Sequence, residues 1–341
     1  LELLASHLVR LRILDECECI EPYHDRLREA VTRAIPDERA PELLRTLALA
    51  HGKAHPAQVD VLVELYQRAG DLERAAHFAV RAAELAEAQL AFDRAADLYA
   101  FALAYGVPGD RAELELACAT ACARAGRVRE AGARYERAAS LVPRAEERRE
   151  LQRRAMLYYL TGADLGPGER ILRGLCGELG LRFPAAQLWL TVLFAWSLYF
   201  RYLIGPRLRS LPTPAPSSPD AVRSVDDERL ELAFMAARGL GHHSFLQSSV
   251  FVASGLLLTR ALRSPHQWAT ALAWEAQLES VGRGVSSEAS DRAVGRALSF
   301  CAEQGAFEEH AFVLASAGAR DVYIGRVRDA ERAFDEAENL L

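Results

Sequence analysis

The sequence predicts an all-α protein built as a degenerate tetratricopeptide-like helical solenoid, with a short winged-helix-like remnant in front of it. Three observations carry this. Half of the 341 residues are apolar while only 8% are aromatic, with Ala and Leu dominant and Gly and Pro modest, a helical profile. Apolar residues recur at helical spacing over most of the chain. A pattern of Gly, Ala five later, an aromatic or small residue four later and Ala three later returns along it.

Residues 1–35 differ from the rest. LLASHLVRLR begins helical and gives way to RILDECECIE, whose alternation and turn residues suit a short hairpin that Pro22 ends. YHDRLREAVTRAI then reads as an amphipathic helix, with Tyr23, Leu27, Ala30, Val31 and Ala34 on one side. Helix, hairpin, helix fits the end of a winged-helix module. Asp25 stands in the first turn, where a carboxylate suits the helix dipole, and His24 or Asp25 can cap free amides.

Residues 36–208 form the first helical repeat region. GRVREAGARYERAASLV aligns with GRVRDAERAFDEAENLL, so that Gly126, Ala131, Tyr135 and Ala138 match Gly325, Ala330, Phe334 and Ala337. Weaker copies start at Gly70 and Ala91. Gly admits the tight turn, Ala lets two helix axes approach, the aromatic fills the gap beside them, and Pro143 stops the helix. The spacing is not a uniform 34 residues, hence a degenerate array.

This region ends in an apolar helix over 183–204. FPAAQLWLTVLFAWSLYF has eighteen residues without charge, which raises a membrane span. Gln187, Thr191 and Ser197 within it and Arg201 after it favour a buried or groove-forming helix. Residues 209–224 are Pro- and Ser-rich and read as a linker. The second repeat region covers 225–341 as further helices, with Asp226 or Asp227, Ser264 and Ser286 as caps. Adjacent His242 and His243 point apart on a helix and share no metal. The first residue, Leu1, and the helical pattern running to Leu341 read as cut ends of a longer polypeptide.

The chemistry is sparse. Lys53 is the single lysine among 41 basic residues, and it sits in HGKAH, so no phosphate-cradling Gly-x-x-x-x-Gly-Lys-Ser/Thr loop exists. Neither kinase signatures nor Gly-x-Ser-x-Gly nor His-Glu-x-x-His occurs. The net charge of −6 is mixed along the chain and leaves no nucleic-acid footprint. Cys17, Cys19, Cys118, Cys122, Cys176 and Cys301 read as free thiols of a reducing cytoplasm; Cys118 and Cys122 share a helix face but lack further ligands, so they are core side chains rather than a metal site. No cofactor, no metal and no catalytic residue is expected.

IEPYHDRLREAV followed by GDLERAAHFAVRAAELAEAQLAFDRAADLYAFAL resembles the region after the ATPase module in large bacterial, myxobacterial-type serine/threonine protein kinase–AAA/STAND ATPase signalling proteins. SSVFVASGLLLTRALRSPHQWATALAWEAQLESVG is similar to the distal part of such tails. The resemblance implies a non-catalytic regulatory or sensor segment in the cytoplasm, bound to a protein partner, a ligand or the ATPase and kinase domains of its own polypeptide. It implies that residues 1–35 are the end of a winged-helix-like part of an ATPase module, with an interdomain contact at Tyr23, His24, Asp25 and Arg26. The alternatives are the same segment of a STAND-type transcriptional activator, or a stand-alone tetratricopeptide adaptor.

Overall fold

A computed structural model describes residues 8–14, 17–106, 109–184, 224–241, 243–262, 265–283 and 285–340. They form an all-α helical-repeat fold in two compact units, one up to Ala125 and one from Gly126. The apolar helix expected over 183–204 and the 209–224 linker lie outside the described residues apart from Phe183, Pro184 and Ser224.

The first unit opens with a hairpin of β1 (Val9–Leu14) and β2 (Cys17–Pro22), antiparallel with Val9 opposite Pro22. Its first strand begins inside LLASHLVRLR, where Val9, Leu11 and Ile13 alternate with arginines at period two rather than 3.6. Helix α1 (Asp25–Ala34) follows and buries none of its residues. His24 is its N-cap but makes no side-chain cap; the His24 carbonyl instead accepts from the Leu27 and Arg28 amides. Helices α2 (Ala40–Ala54), α3 (Val59–Arg68), α4 (Leu72–Ala88), α5 (Phe92–Tyr105) and α6 (Arg111–Arg124) then pack each on the next. Their core joins Leu62, Leu65, Tyr66 and Ala75 to a second cluster of Val59, Val63, Ala79, Ala82 and Ala102, with Phe78 and Phe101 touching both.

The second unit contains α7 (Val128–Leu141), α8 (Ala145–Thr161), α9 (Leu165–Leu179), α10 (Val225–Leu240), α11 (Phe245–Leu262), α12 (Pro265–Arg283), α13 (Glu288–Gln304), α14 (Phe307–Tyr323) and α15 (Val327–Glu338). From α8 on they are antiparallel pairs. The first members, α8, α10, α12 and α14, lie side by side as a row, and each is backed by its following helix. The pairs at 225, 265 and 307 start further apart than 34 residues, which accounts for the irregular repeat. The caps differ from expectation. Ser224 forms a reciprocal capping box with Asp227, and Ser287 caps α13 while the Ser286 hydroxyl donates to Asp291 at 2.9 Å. Ser264 lies outside the described residues.

One turn recurs in both units. A left-handed residue ends a helix, and the next amide donates to the carbonyl five residues back: Asp71 to Tyr66 at 3.0 Å, Ala91 to Ala86 at 2.8 Å, Asp164 to Tyr159 at 2.8 Å and Arg326 to Asp321 at 2.8 Å. The residues five, nine and twelve after it face the core: Ala75, Ala79 and Ala82 after Gly70, Ala131, Tyr135 and Ala138 after Gly126. After Gly325, Ala330 and Ala337 are buried, and the half-exposed Phe334 lays its ring where a side chain on Gly318 would stand. The copy placed at Ala91 is in fact set by Leu90, with Ala95, Tyr99 and Ala102 buried behind it. A further copy starts at Ala163 and uses Gly168, Leu172 and Leu175. Leu90 and Ala163 hold φ of 59° without being glycine.

Charge ties α8 to α10. Arg149 Nε and Nη2 donate to the two oxygens of Glu228 at 2.7 and 2.8 Å. Arg153, only 1% exposed, donates to Glu228 at 3.2 Å and Glu150 at 2.6 Å and pairs with Glu231 at 3.4 Å. So the helices on either side of the stretch read as a linker belong to one packing unit.

Two predictions follow from these features. A left-handed side-chain-bearing residue costs about 1–2 kcal/mol that glycine does not. Leu90 is 75% exposed and buries little that would be lost. Leu90→Gly should therefore stabilise the fold by roughly 1 kcal/mol, net of glycine's extra unfolded-state entropy, and be seen as a higher urea denaturation midpoint. Glu228→Gln should do the opposite, costing roughly 3–5 kcal/mol because it strips a carboxylate from a buried guanidinium. The Arg149 hydrogen bond holds the Glu228 carboxyl below its ordinary range, and Arg153 and Arg154 overcome burial to do the same for Glu150. A depressed carboxyl stabilises the fold above its unfolded pKa and loses that contribution as pH falls through its folded one. Thermal melts from pH 7 downward should show wild type losing stability below the ordinary carboxylate value of 4.5, with a shallower acid limb in the variant.

Candidate functional site

The row of α8, α10, α12 and α14 carries a cavity of about 290 Å³. Each helix contributes one stripe at helical spacing: Glu150, Arg154 and Tyr158 from α8; Glu231, Phe234, Met235 and Arg238 from α10; Gln267, Thr270 and Trp274 from α12; Glu308, Glu309 and Phe312 from α14. Tyr135 of α7 completes the wall. The Ala-rich positions of these helices pack inward, so the stripes that line the cavity carry larger polar and aromatic side chains.

The aromatic part is ordered by stacking. Tyr135 and Tyr158 lie parallel with centroids 5.5 Å apart, and Trp274 and Phe312 meet at 5.7 Å. The charges divide into spent and unspent. Glu150 takes Arg153 and also Arg154 at 2.9 Å, and Glu231 pairs with Arg153. Arg238 has no carboxylate within 4 Å among the described residues; its guanidinium carbon stands 6.0 Å from the Phe312 ring centre. Crowding by protein atoms pushes the Arg238 guanidinium down from its ordinary value, and Tyr158 and Glu308 act weakly the other way. Burial pushes the Tyr158 phenol up. The site thus combines flat apolar walls, an unpaired cation and unpaired carboxylates, an arrangement suited to holding a charged ligand.

Two other cavities carry less. One of about 280 Å³ in the first unit, lined by Val80, Glu84, Tyr99 and Arg111, reaches Gly106 and Gly109, which flank residues outside the description. One of about 270 Å³ beside α9 contains Glu136, already engaged by Tyr159 at 3.0 Å and Arg170 at 2.8 Å.

The residues singled out from the sequence fall elsewhere. Tyr23, His24, Asp25 and Arg26 are all exposed; Tyr23 and His24 meet edge to face at 4.9 Å, and Asp25 pairs with Arg28 at 3.3 Å. Of the repeat-packing set, Tyr135 alone lines the cavity, while the others hold helices together. The cavity stripes escaped sequence reading because their spacing matches that of any solvated helix face.

Among the described residues no group of three potential ligands could hold a metal, and no helix is long and apolar enough to cross a membrane. Cys118, Cys122, Cys176 and Cys301 are buried thiols outside any disulfide. Burial pushes the Cys176 thiol up to about 12, and burial with nearby Glu309 takes Cys301 to about 11. In a Cys17→Ser, Cys19→Ser background, the native chain should therefore resist an aromatic disulfide reagent at pH 8, and all four thiols should react once the fold is lost in guanidinium.

No family model matches this sequence, and no curated protein matches it.

Proposed function

We propose that the chain is a non-catalytic helical-repeat sensor segment of a multidomain serine/threonine kinase–STAND ATPase, working in the cytoplasm. The cavity on the row of α8, α10, α12 and α14 receives a ligand or partner. The observation that carries this reading is the set of unspent side chains converging there, Arg238, Glu308 and Glu309, beside aromatic walls. Such a segment regulates only if its occupant prefers one of two states of the attached machinery; equal binding to both shifts nothing.

Two further features support the reading. Helix α1 leaves Ala30, Val31 and Ala34 exposed next to Tyr23, His24, Asp25 and Arg26, which suits a contact with a neighbouring domain. The sequence also lacks the motifs by which known nucleotide-binding or hydrolytic sites are built, which fits a regulatory rather than a chemical part.

The test is the reading frame that precedes Leu1. Kinase motifs and a Gly-x-x-x-x-Gly-Lys-Ser/Thr loop are expected there in frame. A frame that contains neither would overturn the signalling reading and leave an adaptor.

A further inference from the structure

The cavity's own chemistry restricts what can occupy it. Its carboxylates Glu150 and Glu231 are neutralised by Arg153 and Arg154. What remains without a hydrogen bond or ion pair among the described residues includes Arg238, Gln267, Thr270, Glu308, Glu309 and the buried indole N–H of Trp274. A ligand with only a negative group would satisfy Arg238 but bring its charge close to Glu308, which Arg238 already senses. A ligand with only a positive group would satisfy the glutamates and crowd Arg238. Arg238 and Glu308 are both solvent-exposed, so a mismatch costs screened repulsion rather than the penalty of a buried charge. A ligand with both signs avoids that repulsion at either end and is the one whose charges complement the lining.

Geometry sets the spacing of those signs. Glu308 and Phe312 are four apart on α14 and so neighbours on one face, while Arg238 stands 6.0 Å from the Phe312 ring. The anionic and cationic ends must therefore lie close together, with an apolar body beside them against Trp274, Phe312 and Phe234. The volume of about 290 Å³ corresponds to roughly ten waters and sits at the small end of ligand pockets. That suits one residue-sized molecule better than a stretch of partner chain.

We infer that the cavity is a binding site for a small zwitterion of the α-amino acid type with an apolar or aromatic side chain. Its carboxylate meets Arg238 and its ammonium meets Glu308 and Glu309, while Gln267 and Thr270 supply neutral hydrogen bonds. This rests on the reading of the cavity as a ligand site and gives that site a chemical class.

The experiment is isothermal titration calorimetry of the full chain against L-phenylalanine, L-leucine and L-tryptophan. N-acetyl-L-phenylalanine and L-phenylalaninamide, each lacking one charge, serve as controls. At least one free amino acid is expected to bind, with at least tenfold loss for both blocked forms. Arg238→Gln and the Glu308→Gln, Glu309→Gln pair should each weaken it tenfold or more while the far-ultraviolet circular dichroism is unchanged. Absence of binding at 10 mM, equal binding of the blocked forms, or indifference to Arg238→Gln with the helical signal intact would each overturn the inference. A library of short peptides is titrated in parallel. Peptide binding lost in Arg238→Gln, without amino acid binding, would sink the zwitterion and keep the ligand site; no binding of either would sink both.

Discussion

An antiparallel helix pair must reverse direction within a few residues and still satisfy the carbonyls at the end of its first helix. This one constraint organises the fold. The left-handed residue and the amide after it close the helix end with a bond to the carbonyl five residues back. The following helix then starts in a fixed register, and the residue five after the left-handed one is turned toward the helix before it. That position is small in five of these turns, as Ala75, Ala95, Ala131, Gly168 and Ala330, while after Gly305 it is His310. Close approach there lets the ninth and twelfth residues reach the core, so turn, register and packing are one decision rather than three.

The same turn explains how far the sequence could be read. The all-α repeat architecture was open to inspection because Gly126 and Gly325 head two near-identical copies. Ala163 hid its copy and Leu90 left its copy placed one residue late, at Ala91, since a leucine or an alanine carries no signal of left-handed backbone. The hairpin was readable from its alternation and from Pro22, although its first strand starts earlier than the helical reading allowed. Caps were missed by one or two residues at Ser224 and Ser287, the usual fate of boundaries inferred from polar residue types. The site was almost wholly invisible. Its stripes come from four helices spread over more than a hundred residues, and nothing in a linear pattern states which faces converge. Tyr135 was found, but as a packing residue.

Polar and apolar forces divide the labour in the second unit. Most helix pairs are held by alanines and leucines, which fix distance but discriminate poorly between similar registers. The Arg149–Arg153–Glu150–Glu228–Glu231 network is different, because its hydrogen bonds form only at one offset of α8 against α10. That offset aligns the Arg154 and Tyr158 stripe with the Phe234 and Arg238 stripe, so the buried charges act as the alignment pin for the cavity wall beside them.

The alignment pin has one more effect. Helix α10 is seated by groups on α8 that lie 79 residues earlier in the case of Arg149 and Glu228. Substitutions at Arg149 and Glu228 are therefore not independent of one another. A change on one helix is tolerated or not according to the residue kept on the other, so two positions far apart in the chain are bound to change together.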